Sequence, residues 1–187
     1  MPPRKNFLMM RHGESVANAQ GYVAGSFDTP LTDLGRQQAA QAEATVYAMR
    51  DAIDYIVHSA LSRSRETAAI VNRRLGLPAF EVPGLGEQDF GDWRGTDYSA
   101  MRQKMADGME PPSGETRADF YRRAELAVMD ALQAAAGTPL IVSHGGIFDA
   151  LRAHRADDRL NVNNCALYMF RWGGDEGRPE WLMGELP

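Results

Sequence analysis

Five side chains in this sequence of 187 residues have the types and spacing for phosphoryl chemistry: Arg11, His12, Arg63, Glu87 and His144. Two guanidinium groups and two imidazoles make a pocket for a dianion. Guanidinium forks match the oxygens of a phosphoryl group, and their charge cannot be titrated away. No cysteine or lysine stands near these positions, and Ser15 and Ser143 lack an assigned base. A neutral imidazole attacks phosphorus well, which makes His12 the expected nucleophile. Arg11 and Arg63 beside it favour the uncharged ring. Glu87 is the expected general acid, protonating the leaving oxygen and later taking a proton from water; Asp89 and Asp92 are the competing carboxylates. His12 and His144 with Glu87 or Asp89 would also make a metal-ligand set, but two arginines in one pocket oppose a divalent cation. His58 and His154 read as structural or surface residues.

These side chains come together only if the elements before them are parallel strands. Four apolar residues, Phe7 to Met10, make a short buried strand that delivers Arg11 and His12 at its carboxyl end. Residues 54–58 form a second strand, with Arg63 one turn beyond it, and 140–143 a buried strand ending at His144. A short strand at 79–82 precedes Glu87. Helices are expected from Thr32 to about 50, within 59–75, from Thr116 to about 134, and after Gly146, each with an apolar face at helical spacing. Residues 84–113 read as an irregular excursion holding one helix, 98–106, over the carboxyl edge of the sheet. The last two strands, 166–172 and 180–183, flank the glycine-rich turn at 173–175 and suggest a hairpin. Strands alternating with helices imply a three-layer α/β/α sandwich, with a mostly parallel open sheet and an antiparallel edge strand. Helix amino termini after Ser59 and Gly146 are expected to add N–H donors to the anion.

Length suits one domain over residues 1–187, with a small cap insertion at about 84–115. A formal net charge of −5 argues against a broad nucleic-acid footprint, so an anion site must be local. The single cysteine, Cys165, excludes an intramolecular disulfide framework. No long apolar run follows the basic start, so neither a signal peptide nor a membrane span is expected. A cytoplasmic location is the default, and the oligomeric state is open, a homodimer included.

The residues resemble the histidine phosphatase superfamily, which includes the cofactor-dependent phosphoglycerate mutases. The resemblance covers most of the chain in six ordered blocks: "MRHGESVAN" at 10–18, "DTPLTDLGRQQA" at 28–39, "SALSRSRETA" at 59–68, "LGEQDFGDWRG" at 85–95, "SGET" at 113–116 and "VSHGG" at 142–146. It implies His12 as the phosphorylated residue, Arg11, Arg63 and His144 as the phosphate pocket, Asn18 as a further contact and Glu87 as the proton donor. Ser15, Gly25 and Gly145 fall among the phosphate- or substrate-binding positions. It implies no metal and no organic cofactor, and a small phosphorylated substrate as partner.

The departures from the mutase pattern favour hydrolysis. Gln88 and Phe90 stand where mutases usually have a basic residue and a tyrosine, Ala24 stands where they tend to have threonine, and the cap is short. The expected activity is therefore metal-independent phosphomonoester hydrolysis of a small metabolite. The alternatives are a phosphoglycerate mutase and a non-catalytic phospho-ligand binding module. Trp93, Arg94, Tyr98 and Met101 are the expected substrate-side residues of the excursion.

Overall fold

The computed structural model describes residues 5–152, 162–173 and 181–186. Its six strands, β1 (Phe7–Arg11), β2 (Tyr55–His58), β3 (Ala79–Glu81), β4 (Pro139–Ser143), β5 (Leu167–Trp172) and β6 (Trp181–Glu185), form one sheet in the order β3-β2-β4-β1-β5-β6. β3, β2, β4 and β1 run parallel. The expected antiparallel pairing lies at the other end, where β5 runs against both β1 and β6. His154 and most of the expected turn at 173–175 lie outside the described residues.

The "FLMM" run is apolar throughout because both faces of β1 are covered. Phe7 and Met9 point into one core with Tyr55, Val57 and Ile141, while Leu8 and Met10 point into the other with Ile56, Leu140 and Val142. Helices α2 (Asp33–Ala48) and α3 (Ser62–Val71) cover the second face; α5 (Arg117–Gln133) and α6 (Gly145–Arg152) cover the first. The main amphipathic stripes behave as their spacing predicts. Ala39 and Val46 of α2 are buried, as are Phe120, Ala124, Ala127 and Ala131 of α5. Thr32 and Thr116 cap their helices by accepting from the N–H groups of Gly35 and Asp119.

α3 is shorter than its apolar pattern suggests. It ends at Val71 because the Asn72 amide bonds Leu77 in both directions, donating to its carbonyl at 2.9 Å and accepting from its N–H at 3.0 Å. That local closure competes with another helical turn. Among the described residues the other α-helices are α1 (Val16–Gln20), directly after the first motif, and α4 (Tyr98–Ala106), whose bounds match the expected ones.

The connection after β1 leads to α2 on one face of the sheet, while the one after the neighbouring strand β4 leads to α6 on the other. The carboxyl ends of β1 and β4 are therefore a topological switch point, where a crevice opens in sheets of this kind.

Candidate active site

Arg11 of β1 pairs in register with Ser143 of β4, so His12 and His144 leave the sheet side by side. The His12 N–H donates to the Ser143 carbonyl at 2.9 Å, and the two imidazole centroids are 5.0 Å apart. The turn after His12 depends on close backbone packing: a Cβ on Gly13 would strike the carbonyl of Gly35, and one on Gly35 the carbonyl of Glu14. The blocks around 10–18 and 28–39 thus interlock through their glycines. Asn164 donates to the His12 carbonyl at 2.7 Å from the chain segment entering β5.

His12 is buried, and its ring is oriented at both nitrogens. Nδ1 lies 2.7 Å from the Gly13 carbonyl, which can only accept, so Nδ1 carries the proton. Nε2 receives the Arg63 Nε–H at 3.3 Å, so it presents its lone pair. Burial above all, then the Arg63 and Arg11 cations, hold His12 well below the ordinary imidazole value of 6.5. The neutral ring with a free Nε2 is the nucleophilic form. His144 is likewise held down by burial, then by Arg63, His12 and Arg11. Its Nε2 lies 2.7 Å from the Ser59 hydroxyl, and its Nδ1 is buried without a hydrogen-bond partner.

Arg63 is 2% exposed, far from the solvated helix face that its arginine-rich surroundings suggest. Beyond His12 it donates to the carbonyls of Gly25 at 2.9 Å and Phe27 at 3.0 Å. Gly25 serves the site through its carbonyl and its positive φ of 55°, in a space that Gln88 and Phe90 leave for no side chain. Burial lowers the guanidinium pKa against the opposing pull of Glu87 and Asp28. Arg11 donates to the Val162 carbonyl at 2.8 Å, leaving its buried Nε without a partner. A Cβ on Gly145 would come within 3.9 Å of that nitrogen.

Glu87 faces the same space. Its carboxylate accepts from the N–H groups of Gln88 at 3.0 Å and Gly146 at 3.2 Å. A side chain at Gly146 would collide with the carboxylate. At the two helix termini expected to supply N–H donors, the Gly146 N–H of α6 is engaged by Glu87 and the Ser62 N–H that opens α3 by the Asp28 carboxylate at 2.8 Å. Ser15 and Asn18 form a reciprocal capping box at the start of α1, which uses the Ser15 hydroxyl and the Asn18 carbonyl oxygen and leaves the Asn18 amide hydrogens.

A cavity of about 660 Å³ opens beside these groups and is lined by Arg11, His12, Ser15, Asn18, Gly25, Arg63, Glu87 and Gly145, while His144, fully buried behind His12, does not reach it, nor do Asp89 and Asp92. Its far wall comes from α4 and the start of α5: Tyr98, Met101, Arg102, Met105, Arg117 and Tyr121. Of the four expected substrate-side residues, Tyr98 and Met101 lie there and Trp93 and Arg94 do not. Trp93 is buried in a small cluster with Val23, Phe90 and Met101, and Arg94 donates to the Gly91 carbonyl. Sequence reasoning missed Arg102 and Met105, although 98, 101, 102 and 105 form one face at helical spacing. It also missed Ser59, Asn164 and the Arg123–Glu115 pair, whose partners are distant in the chain. Cys165 lies beside Arg11, but burial pushes its thiol up to about 12, which leaves it protonated near neutrality. Among the described residues no three His, Cys, Asp or Glu side chains are grouped to hold a metal ion.

The sequence model of the histidine phosphatase superfamily (branch 1) matches residues 7–183. A Yersinia enterocolitica protein named "Probable phosphoglycerate mutase GpmB" is 32% identical over 177 residues, covering 86% of this chain and 81% of its own. Among solved structures, Bacillus stearothermophilus YhfR superposes with a TM-score of 0.79 at 24% identity, covering 96% of this chain and 95% of its own. A mycobacterial glucosyl-3-phosphoglycerate phosphatase complexed with VO3 superposes with a TM-score of 0.77 at 25% identity, covering 97% and 98%. The alpha-ribazole phosphatase of Shigella flexneri gives 0.75 at 25% identity, covering 90% and 91%.

Proposed function

Because the chain belongs to branch 1 of the histidine phosphatase superfamily, we propose that it is a metal-independent phosphomonoester hydrolase working through a phosphohistidine on His12. The observation that carries this reading is the fixed tautomer of His12, with Nδ1–H bound to Gly13 and the Nε2 lone pair facing the arginines. Arg11 and Arg63 hold the phosphoryl oxygens, and His144 stands beside His12 at the same strand ends. The 3.3 Å bond from Arg63 to Nε2 is long and readily exchanged for a phosphoryl oxygen. Nε2 then attacks phosphorus, the bond to the leaving oxygen breaks, and that oxygen takes a proton from Glu87. In the second half, Glu87 takes a proton from water, the resulting oxygen attacks phosphorus, and the P–N bond breaks to release phosphate. The Nδ1–H bond to Gly13 persists throughout and stabilises the positive ring of the intermediate.

The mutase reading is favoured by the Yersinia relative's name, and the phosphatase reading by the names of two structural neighbours. Gln88 and Phe90 and the short cap support the latter. Small phosphorylated metabolites are the substrate class. The test is a phosphate-release screen in the presence of EDTA, with 3-phosphoglycerate isomerisation assayed with and without the bisphosphorylated primer. Phosphate release without isomerisation is expected, with label on His12 after a neutral quench and none in His12→Ala. Primer-dependent isomerisation without net release would decide for the mutase, and label on another residue would end the His12 assignment.

A further inference from the structure

The proposed acid, Glu87, stands on an irregular segment between β3 and α4, where no sheet ladder fixes the backbone. We propose that Arg123 and Glu115 are positioning residues for Glu87, an inference that rests on the acid role assigned above. Arg123, on α5, donates to three carbonyls of this segment: Gly84 at 2.6 Å, Gly86 at 3.0 Å and Glu87 at 3.3 Å. The same guanidinium makes a two-point pair with the Glu115 carboxylate, Nε to Oε1 and Nη2 to Oε2, both at 2.7 Å. Glu115 then takes hold of the segment from beyond the acid. Its Oε2 accepts from the Asp89 N–H at 2.9 Å, its carbonyl accepts from the Gln88 amide at 2.9 Å, and its N–H donates to the Asp89 carbonyl at 2.8 Å.

The bracket therefore closes on both sides of one residue. Arg123 collects the carbonyls up to Glu87, and Glu115 ties down the two residues that follow. The Gln88 N–H that orients the Glu87 carboxylate lies between these anchors. The second donor to that carboxylate, the Gly146 N–H, is set by the same helix face: Phe120, one turn before Arg123, packs where a Cβ on Gly146 would be, and the Arg123 guanidinium lies 5.0 Å from the Phe120 ring. The ion pair is half-buried, with side chains 30% and 25% exposed. Although burial pushes the Glu115 carboxyl up, Arg123 and the Asp89 N–H bring it below its ordinary value, so the pair stays charged. A lysine at 123 keeps the charge but cannot serve three carbonyls and a carboxylate with one planar fork.

A displaced acid impairs protonation of the leaving group and little else, which separates positioning from general stability. Arg123→Lys and Glu115→Gln are to be compared with Glu87→Gln on p-nitrophenyl phosphate, whose leaving group needs little protonation, and on glycerol 2-phosphate, whose leaving group needs much. Both positioning variants are expected to slow glycerol 2-phosphate by about tenfold or more while changing p-nitrophenyl phosphate by less than about threefold. Added to Glu87→Gln, neither should produce a further selective loss, because the acid is already gone. Thermal melts establish that each variant is folded, and having two variants keeps the test open if one fails to fold. Equal loss on both esters, or an undiminished selective loss in the Glu87→Gln background, would overturn the inference while leaving the acid assignment standing. If Glu87→Gln itself shows no preference between the esters, the acid assignment falls and the positioning role falls with it.

Discussion

The two walls of the cavity are built in different ways. At the phosphoryl end, His12 and His144 follow adjacent, registered strands, and Arg63 is bonded to His12 and to two carbonyls of the loop across from it. Backbone ladders and buried hydrogen bonds determine where these atoms are. At the cap end, α4 presents Tyr98, Met101, Arg102 and Met105 from one helical face, and its supporting cluster is only a few residues deep. Tyr98 is half exposed. Under the proposed function, the difference separates a part that would handle any phosphoryl group from a part that would handle the rest of the molecule. Glu87 sits between them, on a segment held by side chains rather than by a sheet ladder.

Replacing Arg63 with lysine is the strongest way to break this division. Arg63→Lys keeps a cation but loses the fork that reaches His12, Gly25 and Phe27. The expected fall in kcat/KM is about 100-fold or more, and similar for every ester tested. A loss confined to some substrates would show that Arg63 belongs functionally to the cap wall.

The second prediction concerns pH. Unfolded, His12 and His144 take up protons near 6.5; folded, both resist protonation until well below that value. Their contribution to stability is therefore complete above about 6.5 and is lost as pH falls from there through the lowered folded values. The midpoint of thermal unfolding should decline on acidification below that point, while kcat/KM should keep its neutral nucleophile well below 6.5. An acid limb of kcat/KM centred at 6.5 and belonging to His12 would contradict the reading of its surroundings.

The smallest expected effect lies at the cap. Tyr98→Ala should change kcat/KM by roughly 3–10-fold for bulky esters relative to small ones, with little change in thermal stability. A uniform loss across esters would place Tyr98 with the phosphoryl machinery and remove the distinction between the walls.

The coming together of Arg11, His12, Arg63 and Glu87 was largely legible in the sequence because most of these residues follow strand signals directly. "FLMM" before Arg11 and "LIVS" before His144 mark two buried strands, and parallel strands bring their ends together. α4 was expected over 98–106 and lies there. What surrounds it was not legible. Trp93 looked like a substrate contact because the sequence does not reveal that Val23, Phe90 and Met101 cover it. Ser59 and His144 are 85 residues apart, and Asn164 reaches the His12 carbonyl across 152. Arg123 sits among ordinary helix residues, and its work depends on carbonyls whose placement only the folded chain determines. The early end of α3 turned on one asparagine whose side chain found a better local bond than the helix offered.

The cap excursion crosses itself at its base. A Cβ on Gly91 would strike the Pro112 carbonyl, the Asp92 N–H donates to that carbonyl at 2.9 Å, and a Cβ on Gly114 would strike the Asp89 carbonyl. With its two ends fastened together, the loop between them is closed independently of its own length, and closing a longer flexible loop costs only slightly more entropy. Residues could be inserted at the exposed tip near Gly108 without tugging on Glu87. Under the proposed function, such a fastening at the neck would let the scaffold change which molecules it admits while the strand-end residues stay still.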